Sequence, residues 1–325
     1  MQSDFAVVII GRNEGSRLEK CIASVRSHAG KVVYVDSGST DNSVALSTNM
    51  GCEVVNLDMQ IPFTAARARN EGFARVMQLA PSTAFVQFVD GDCELAPGWM
   101  MEAIAFLHAH PDVAAACGRL RERHPEASIY NRLCDLEWNT PVGEAKACGG
   151  IVMMRTQAFS AVQGFRASLI AGEEPELCVR LRGAGWRIWR LGKEMALHDA
   201  AMTRFGQWWK RTKRAGYAFS AGAALHGAPP ERHYVQQRNR GLAWGLALPI
   251  VIAACMLLWT PLAIFLVLAY PLQIARLALK SKQDPPVAWL RAIFLVLGRF
   301  PEGLGSLKYF IDTSLGKRGA LIEYK

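Results

Sequence analysis

No charged side chain occurs between residues 241 and 275, a run of 35 that reads GLAWGLALPIVIAACMLLWTPLAIFLVLAYPLQIA. A bilayer crossing needs roughly 20 apolar residues, so the run excludes an ordinary surface segment and predicts passage through a membrane. Pro261 falls near its middle and interrupts a helix, so two short crossings joined by a tight turn fit better than one long helix. Arg238 and Arg240 precede the run, and Arg276, Lys280 and Lys282 follow it, which predicts that both ends lie in the cytoplasm. Acidic residues are scarce after position 200, where 17 lysines and arginines face 5 aspartates and glutamates. Residues 1–200 hold 20 against 23, so the net charge of +9 belongs to the tail and does not mark the N-terminal part as a nucleic-acid binder. The eight cysteines (21, 52, 93, 117, 134, 148, 178 and 255) never form a C-x-x-C pair. That excludes a zinc ribbon and a disulfide framework, and reads as reduced cytosolic thiols. No secretory leader is expected, because Asp4 precedes an already short FAVVII that reads as a strand. Internal repeats and low-complexity linkers are also missing.

What is present is an alternation of strand and helix patterns. FAVVII is a continuous apolar run, as a strand buried on both faces requires. GRNEGSRLEKCIASVRSHAG follows as a helix, with Leu18, Ile22 and Val25 on one side and Gly30 as its stop. KVVYVD, CEVVNL and AFVQFVD read as further strands, STDNSVALSTNMG and TAARARNEGFARVMQLA as further helices. The fold class is therefore α/β, with a mostly parallel sheet flanked by helices. Ligands of such sheets bind beyond the carboxyl ends of the strands. Asp36 and Asp90 both lie at such ends, so they should converge on one crevice.

The stretch VQFVDGDCEL sets Asp90 and Asp92 one glycine apart directly after a strand. GRNEGS lacks the G-x-G-x-x-G that lets a backbone approach a pyrophosphate, which argues against a dinucleotide fold. A calcium loop also fails, since its sixth position is Leu95 instead of Gly and its twelfth is Met101 instead of Glu. An Asp-Gly turn explains Gly91 but not the neighbouring acids. A hard divalent cation, Mg2+ or Mn2+, remains: it takes carboxylate oxygens and shares substrate phosphates as further ligands. With Asp36 close by to read a ribose or base, the expected ligand is a nucleoside diphosphate carrying a group to transfer.

VVIIGRNEGSRLEKCIASV, VVYVDSGSTDNS, RARNEG and VQFVDGDCEL, in that order, resemble the nucleotide-sugar half of a family 2 glycosyltransferase of the bacterial, membrane-associated type. The resemblance continues through CGGIVMMRTQAFSAVQGF and GEEPELCVRLRGAGWRI and covers roughly residues 4–215. It implies a GT-A fold, a sugar-nucleotide donor, a D-x-D metal site and inversion at the anomeric carbon. It also implies that Asp36 holds the base or ribose with Glu14 and Arg69 nearby, that Asp90 faces the nucleotide, and that Asp92 binds the cation, with Asp90 as a further candidate ligand. The family usually shows Glu-Asp where this chain has Glu173 and Glu174, the Asp being the general base, so Glu174 takes that place with Glu173 in reserve. Pro175 at a helix start and Gly185 as its stop suit that position, although Glu173, Glu174 and Glu176 also simply complement a helix dipole. His198, at the end of WRIWRLGKEMALH, is a candidate third metal ligand, and Gly149 and Gly150 a close-approach loop near the acceptor. A nucleotidyltransferase on a related fold and a non-catalytic membrane-tethered binding module stay open beside the transferase.

The tail divides further. Residues 1–203 are expected to form the transferase domain and 204–240 an amphipathic juxtamembrane segment. Residues 241–279 would form a two-helix transmembrane hairpin, and 280–325 an interfacial or re-entrant end. RFGQWWKRTKRAGYAF places Phe205, Trp208, Trp209, Thr212, Gly216 and Phe219 on one helical face, with Lys210, Arg211, Lys213 and Arg214 around the rest. A Trp-bearing stripe backed by cations predicts contact with an anionic membrane, not with nucleic acid. The segment is only loosely similar to the Gln-x-x-Arg-Trp motif of processive synthases, since its residue order differs. A lipid-linked or glycan acceptor, cell-surface polysaccharide synthesis and a cytoplasmic-membrane location with the catalytic domain facing the cytoplasm complete the expectation.

Overall fold

The computed structural model describes residues 4–26 and 30–317, and the chain divides into two units, 1–203 and 204–325. In the first unit the elements run β1 (Phe5–Gly11), α1 (Ser16–Arg26), β2 (Lys31–Asp36), α2 (Ser43–Asn49), β3 (Glu53–Asn56), α3 (Ala65–Leu79), β4 (Phe85–Asp90) and β5 (Cys93–Leu95). They continue as α4 (Trp99–Ala109), β6 (Val113–Glu122), α5 (Ile129–Glu137), β7 (Gly143–Glu144), β8 (Val152–Arg155), α6 (Thr156–Ala161), α7 (Glu173–Gly183) and β9 (Arg187–His198). The stop expected for α1 adjoins residues 27–29, which lie outside the described residues.

One sheet runs in the order β3-β2-β1-β4-β8-β6-β9-β5, with β7 paired to β9. The apolar run of β1 is buried because parallel neighbours, β2 and β4, flank it on both sides. Their register sets Gly11 against Asp36 and Ile10 against Asp90, so both aspartates end their strands level with the end of β1. Thr64 caps α3 by accepting from the Arg67 amide at 3.1 Å. The second half of the sheet is mixed. β8 runs antiparallel between β4 and β6, β9 runs parallel to β6, and β5 lies antiparallel on the far side of β9. Trp99, Tyr34, Phe85, Phe88 and Phe159 are the bulkiest side chains of its core.

The second unit is helical. It holds α8 (Phe205–His226), α9 (Val235–Leu242), a π-helical turn (Ala243–Ala247), α10 (Leu248–Leu257), α11 (Leu262–Lys280), α12 (Pro285–Leu297) and α13 (Arg299–Ser314). The helix Val235–Leu257 and the helix Leu262–Lys280 are long and apolar enough to cross a membrane. Pro249 has no amide hydrogen to give to the carbonyl four residues back, and the π turn lies where that bond is lost. Backbones come into contact through glycines: a Cβ on Gly216 would overlap the Glu302 carbonyl, one on Gly245 the Arg299 carbonyl, and one on Gly305 the Lys213 carbonyl. Ser306 Oγ adds a buried bond to the Gly216 carbonyl at 3.1 Å. The stripe expected on α8 is thereby partly spent inside the unit. Trp208 packs edge-on against Phe294 at 5.0 Å and Gly216 meets α13, while Phe205 stays exposed.

Candidate active site

Residues two apart on a strand share a face, so Tyr34 lies beside Asp36 at the end of β2. The Tyr34 hydroxyl donates to Asp36 Oδ1 at 3.0 Å, and the amides of Gly38 and Ser39 donate to Oδ2 at 2.9 and 2.8 Å. Asp36 is thus buried and committed first to its own turn, with acceptor capacity left chiefly on Oδ1. Asn13, in the loop after β1, accepts from the Thr40 amide at 2.7 Å and ties the two loops together. Glu14 pairs with Arg17 at 2.7 Å and lies across Gly91, where a Cβ would come within 3.1 Å of its Cγ and 3.2 Å of the Ile10 carbonyl. This accounts for the glycine between the two aspartates: a Cβ there would be tight against both neighbours, which would have to give by a few tenths of an ångström.

Arg69, expected on the nucleotide side, joins that side to the helix bearing the candidate base. Its guanidinium lies 2.9 Å from Asp90 Oδ1, 3.0 Å from Glu173 Oε1 and 3.3 Å from Glu174 Oε1. Three carboxylates from β4 and the first turn of α7 therefore share one buried cation. Burial works against the charge of Arg69, but Asp90, Glu174 and Glu173 more than offset it and raise its pKa. Burial and then the neighbouring Glu173 push the Glu174 carboxyl up to about 7, against the pull of Arg69. A carboxylate tuned to neutrality is suited to accept a proton near neutral pH. Gly150 closes over this pair: a Cβ there would collide with the Arg69 guanidinium and come within 2.8 Å of Glu174 Oε1. Gly149, by contrast, faces open space.

Asp92 is buried, with Oδ2 3.3 Å from His198 Nε2. Adjacent ligands of an octahedral cation bound at about 2.1 Å lie about 3 Å apart, so this carboxylate and imidazole fit the donor pair of Mg2+ or Mn2+. Asp90, expected as a further ligand, does not join them. Among the described residues the metal-competent group is Asp92, Cys93 and His198, and Asp90 Oδ1 is taken by Arg69. The Cys93 thiol donates to Asp92 Oδ1 at 3.4 Å. Burial and then the charges of Asp92 and Asp90 hold its pKa well above the ordinary value, so it stays a thiol and is no ligand for a hard cation.

Residues 6–161 match the sequence pattern of glycosyl transferase family 2. Over that stretch, just under half of its length, the chain is similar to that family. Over 237 residues it is 28% identical to a pre-mycofactocin glycosyltransferase of Mycobacterium tuberculosis, a match covering 68% of this chain and 47% of that protein. The chain thus spans about half the length of the curated relatives it matches first. A mannosyltransferase from Pyrobaculum calidifontis, solved with GDP-Man and Mn2+, is similar in fold over 94% of this chain and 88% of its own, with a TM-score of 0.63 and 18% identity. Glucosyl-3-phosphoglycerate synthase of M. tuberculosis, solved with Mn2+, UDP-Glc and phosphoglyceric acid, covers 69% and 80% at a TM-score of 0.50 and 17% identity. These likenesses establish the GT-A fold. Within the first unit, Asp36, Asp90 and Glu14 surround the end of β1, Arg69 joins Asp90 to Glu173 and Glu174, and Asp92 meets His198. Tyr34 and Cys93 were not anticipated, and only the strand register reveals what they face.

Proposed function

We propose that the family 2 domain moves a sugar from a nucleoside-diphosphate sugar to an acceptor hydroxyl, with inversion and with a divalent cation at Asp92 and His198. The bridge of Arg69 between Asp90 and Glu174 carries the reading, because it joins a nucleotide-facing carboxylate to a carboxylate tuned for proton transfer. Glu174 takes the proton from the acceptor hydroxyl as its oxygen attacks the anomeric carbon. Arg69 holds Glu174 at the site, and Glu173 raises its basicity. Asp36, with Glu14 alongside, orients the nucleoside. When bound, the cation neutralises charge on the departing diphosphate. The Mn2+ and sugar nucleotides in the fold relatives support the same chemistry.

The two apolar helices support a chain anchored as a hairpin in the cytoplasmic membrane, with the transferase domain on the cytoplasmic side. The domain limits 1–203, 204–240, 241–279 and 280–325 belong to this reading. So do an anionic membrane surface, a lipid-linked or glycan acceptor and a role in cell-surface polysaccharide synthesis. The test is to screen the purified chain against a panel of sugar nucleotides, following nucleoside diphosphate and pyrophosphate separately. Nucleoside diphosphate release should stop in excess chelator and fall roughly 10²-fold or more in Asp92→Asn, as loss of several kcal/mol of charge stabilisation requires. Pyrophosphate as the product would make the chain a nucleotidyltransferase. Binding without turnover of any donor would leave a binding module.

A further inference from the structure

We propose that Asp92, Cys93 and His198 form a second, thiophilic mode of the cation site, which takes Zn2+ and holds the domain in a non-transferring state. This rests on the assignment of Asp92 and His198 to the cation. The sheet supplies the third ligand. β5 and β9 pair antiparallel with Cys93 directly opposite His198, so the two side chains stand on one face of the ladder. Asp92 precedes β5 by one residue and turns one oxygen to each: Oδ2 lies 3.3 Å from His198 Nε2, and Oδ1 3.4 Å from Cys93 Sγ. The three candidate ligand atoms all lie within 4.8 Å of one another.

The donor set discriminates between metals. Zinc binds sulfur at about 2.3 Å and nitrogen or oxygen at about 2.0–2.2 Å in a tetrahedron, which places neighbouring ligand atoms about 3.3–3.6 Å apart. The 3.3 Å between carboxylate and imidazole suits either geometry, so it is the thiol beside them that separates the two kinds of metal. Thiolate with imidazole is a softer donor set than Mg2+ or Mn2+ selects. On binding, the Cys93 S–H bond breaks, an S–metal bond forms, and the proton leaves to solvent. Three protein ligands leave a tetrahedral ion one open position. An octahedral ion on Asp92 and His198 keeps several for phosphate oxygens and water. A four-coordinate zinc ion here offers a diphosphate one oxygen site instead of two, which is the reason for the non-transferring state.

The test uses the full-length chain with Co2+ as the spectroscopic stand-in for Zn2+. Wild type with Co2+ alone should give the strong visible absorption of a tetrahedral ion and a thiolate-to-metal charge-transfer band. Cys93→Ser and His198→Ala should each lose the band. Cys93→Ser should keep Mn2+-supported release of nucleoside diphosphate while needing roughly tenfold more Zn2+ for half-inhibition. A band that survives in Cys93→Ser, or equal Zn2+ sensitivity of the two proteins, overturns the proposal. If Cys93→Ser does not fold, the wild-type spectrum decides, because octahedral oxygen and nitrogen coordination gives no thiolate band. Failure here is distinct from failure of the transferase reading. A missing band with Asp92→Asn still inactive overturns only the thiophilic mode, and Mn2+-dependent transfer surviving in Asp92→Asn overturns the cation assignment itself.

Discussion

Glu174 stands where the charge balance of the site is decided. It shares Arg69 with Glu173 and Asp90, so any change in its ionisation is felt by a crowded group of acids. Glu174→Gln keeps size and hydrogen bonding but cannot accept a proton. Donor affinity should be nearly unchanged and kcat should fall roughly 10²-fold or more, as measured by steady-state release of nucleoside diphosphate. If Glu173→Gln is the inactive variant instead, the base is one residue earlier. The acid–base direction is also fixed. The base must be ionised to accept the proton, so kcat/KM should rise with pH through about 7 and level off above it. That limb should vanish in Glu174→Gln. The acids at this scale were legible because charged residues at strand ends and in a helix's first turn stand out from an apolar background. The cation between them was not. Arg67 and Arg69 look alike in RARNEG, yet two residues on a helix point apart. Arg67 turns to the carbonyls of Ile61 and Asp58, while Arg69 is buried under three carboxylates.

At the scale of elements, α7 followed its sequence closely, starting beside Pro175 and giving way at Gly185, which takes φ of +86°. The loop before β8 is where shape matters most. Gly150→Ala should push Arg69 and Glu174 apart, lowering kcat about tenfold or more with little change in Tm, a split that steady-state kinetics and thermal unfolding together would register. A large loss of Tm with kcat intact would mean the loop serves folding only. The parallel half of the sheet was legible from apolar runs separated by helical periods. The antiparallel half was not, because β5 has three residues and β7 two, too few to show any alternation. Their partners are set by a long-range register, and with it the meeting of Cys93 and His198. In the second unit the helix lengths were visible, but not that glycines would press α8, the π turn and α13 together and take up part of the stripe meant for a membrane.

For the whole molecule, the proposed topology makes a direct prediction. Reporter fusions after Arg240 and after Lys282 should both report cytoplasm, and a cysteine introduced near Thr260 should label from outside. An external Lys282 would replace the hairpin by a single crossing. The division into an acidic first part and a basic tail was readable from composition alone. The connection between the two apolar helices is residues 258–261, Leu-Trp-Thr-Pro, with Trp259 94% exposed and no charge among the four. Biogenesis is where this shortness matters. The proposed hairpin would leave nothing ionised on the far side, so insertion would move no polar cargo across the bilayer, and the desolvation cost would be limited to one turn of backbone and one hydroxyl. In the proposed topology such a hairpin can enter as a unit from the side on which it is made.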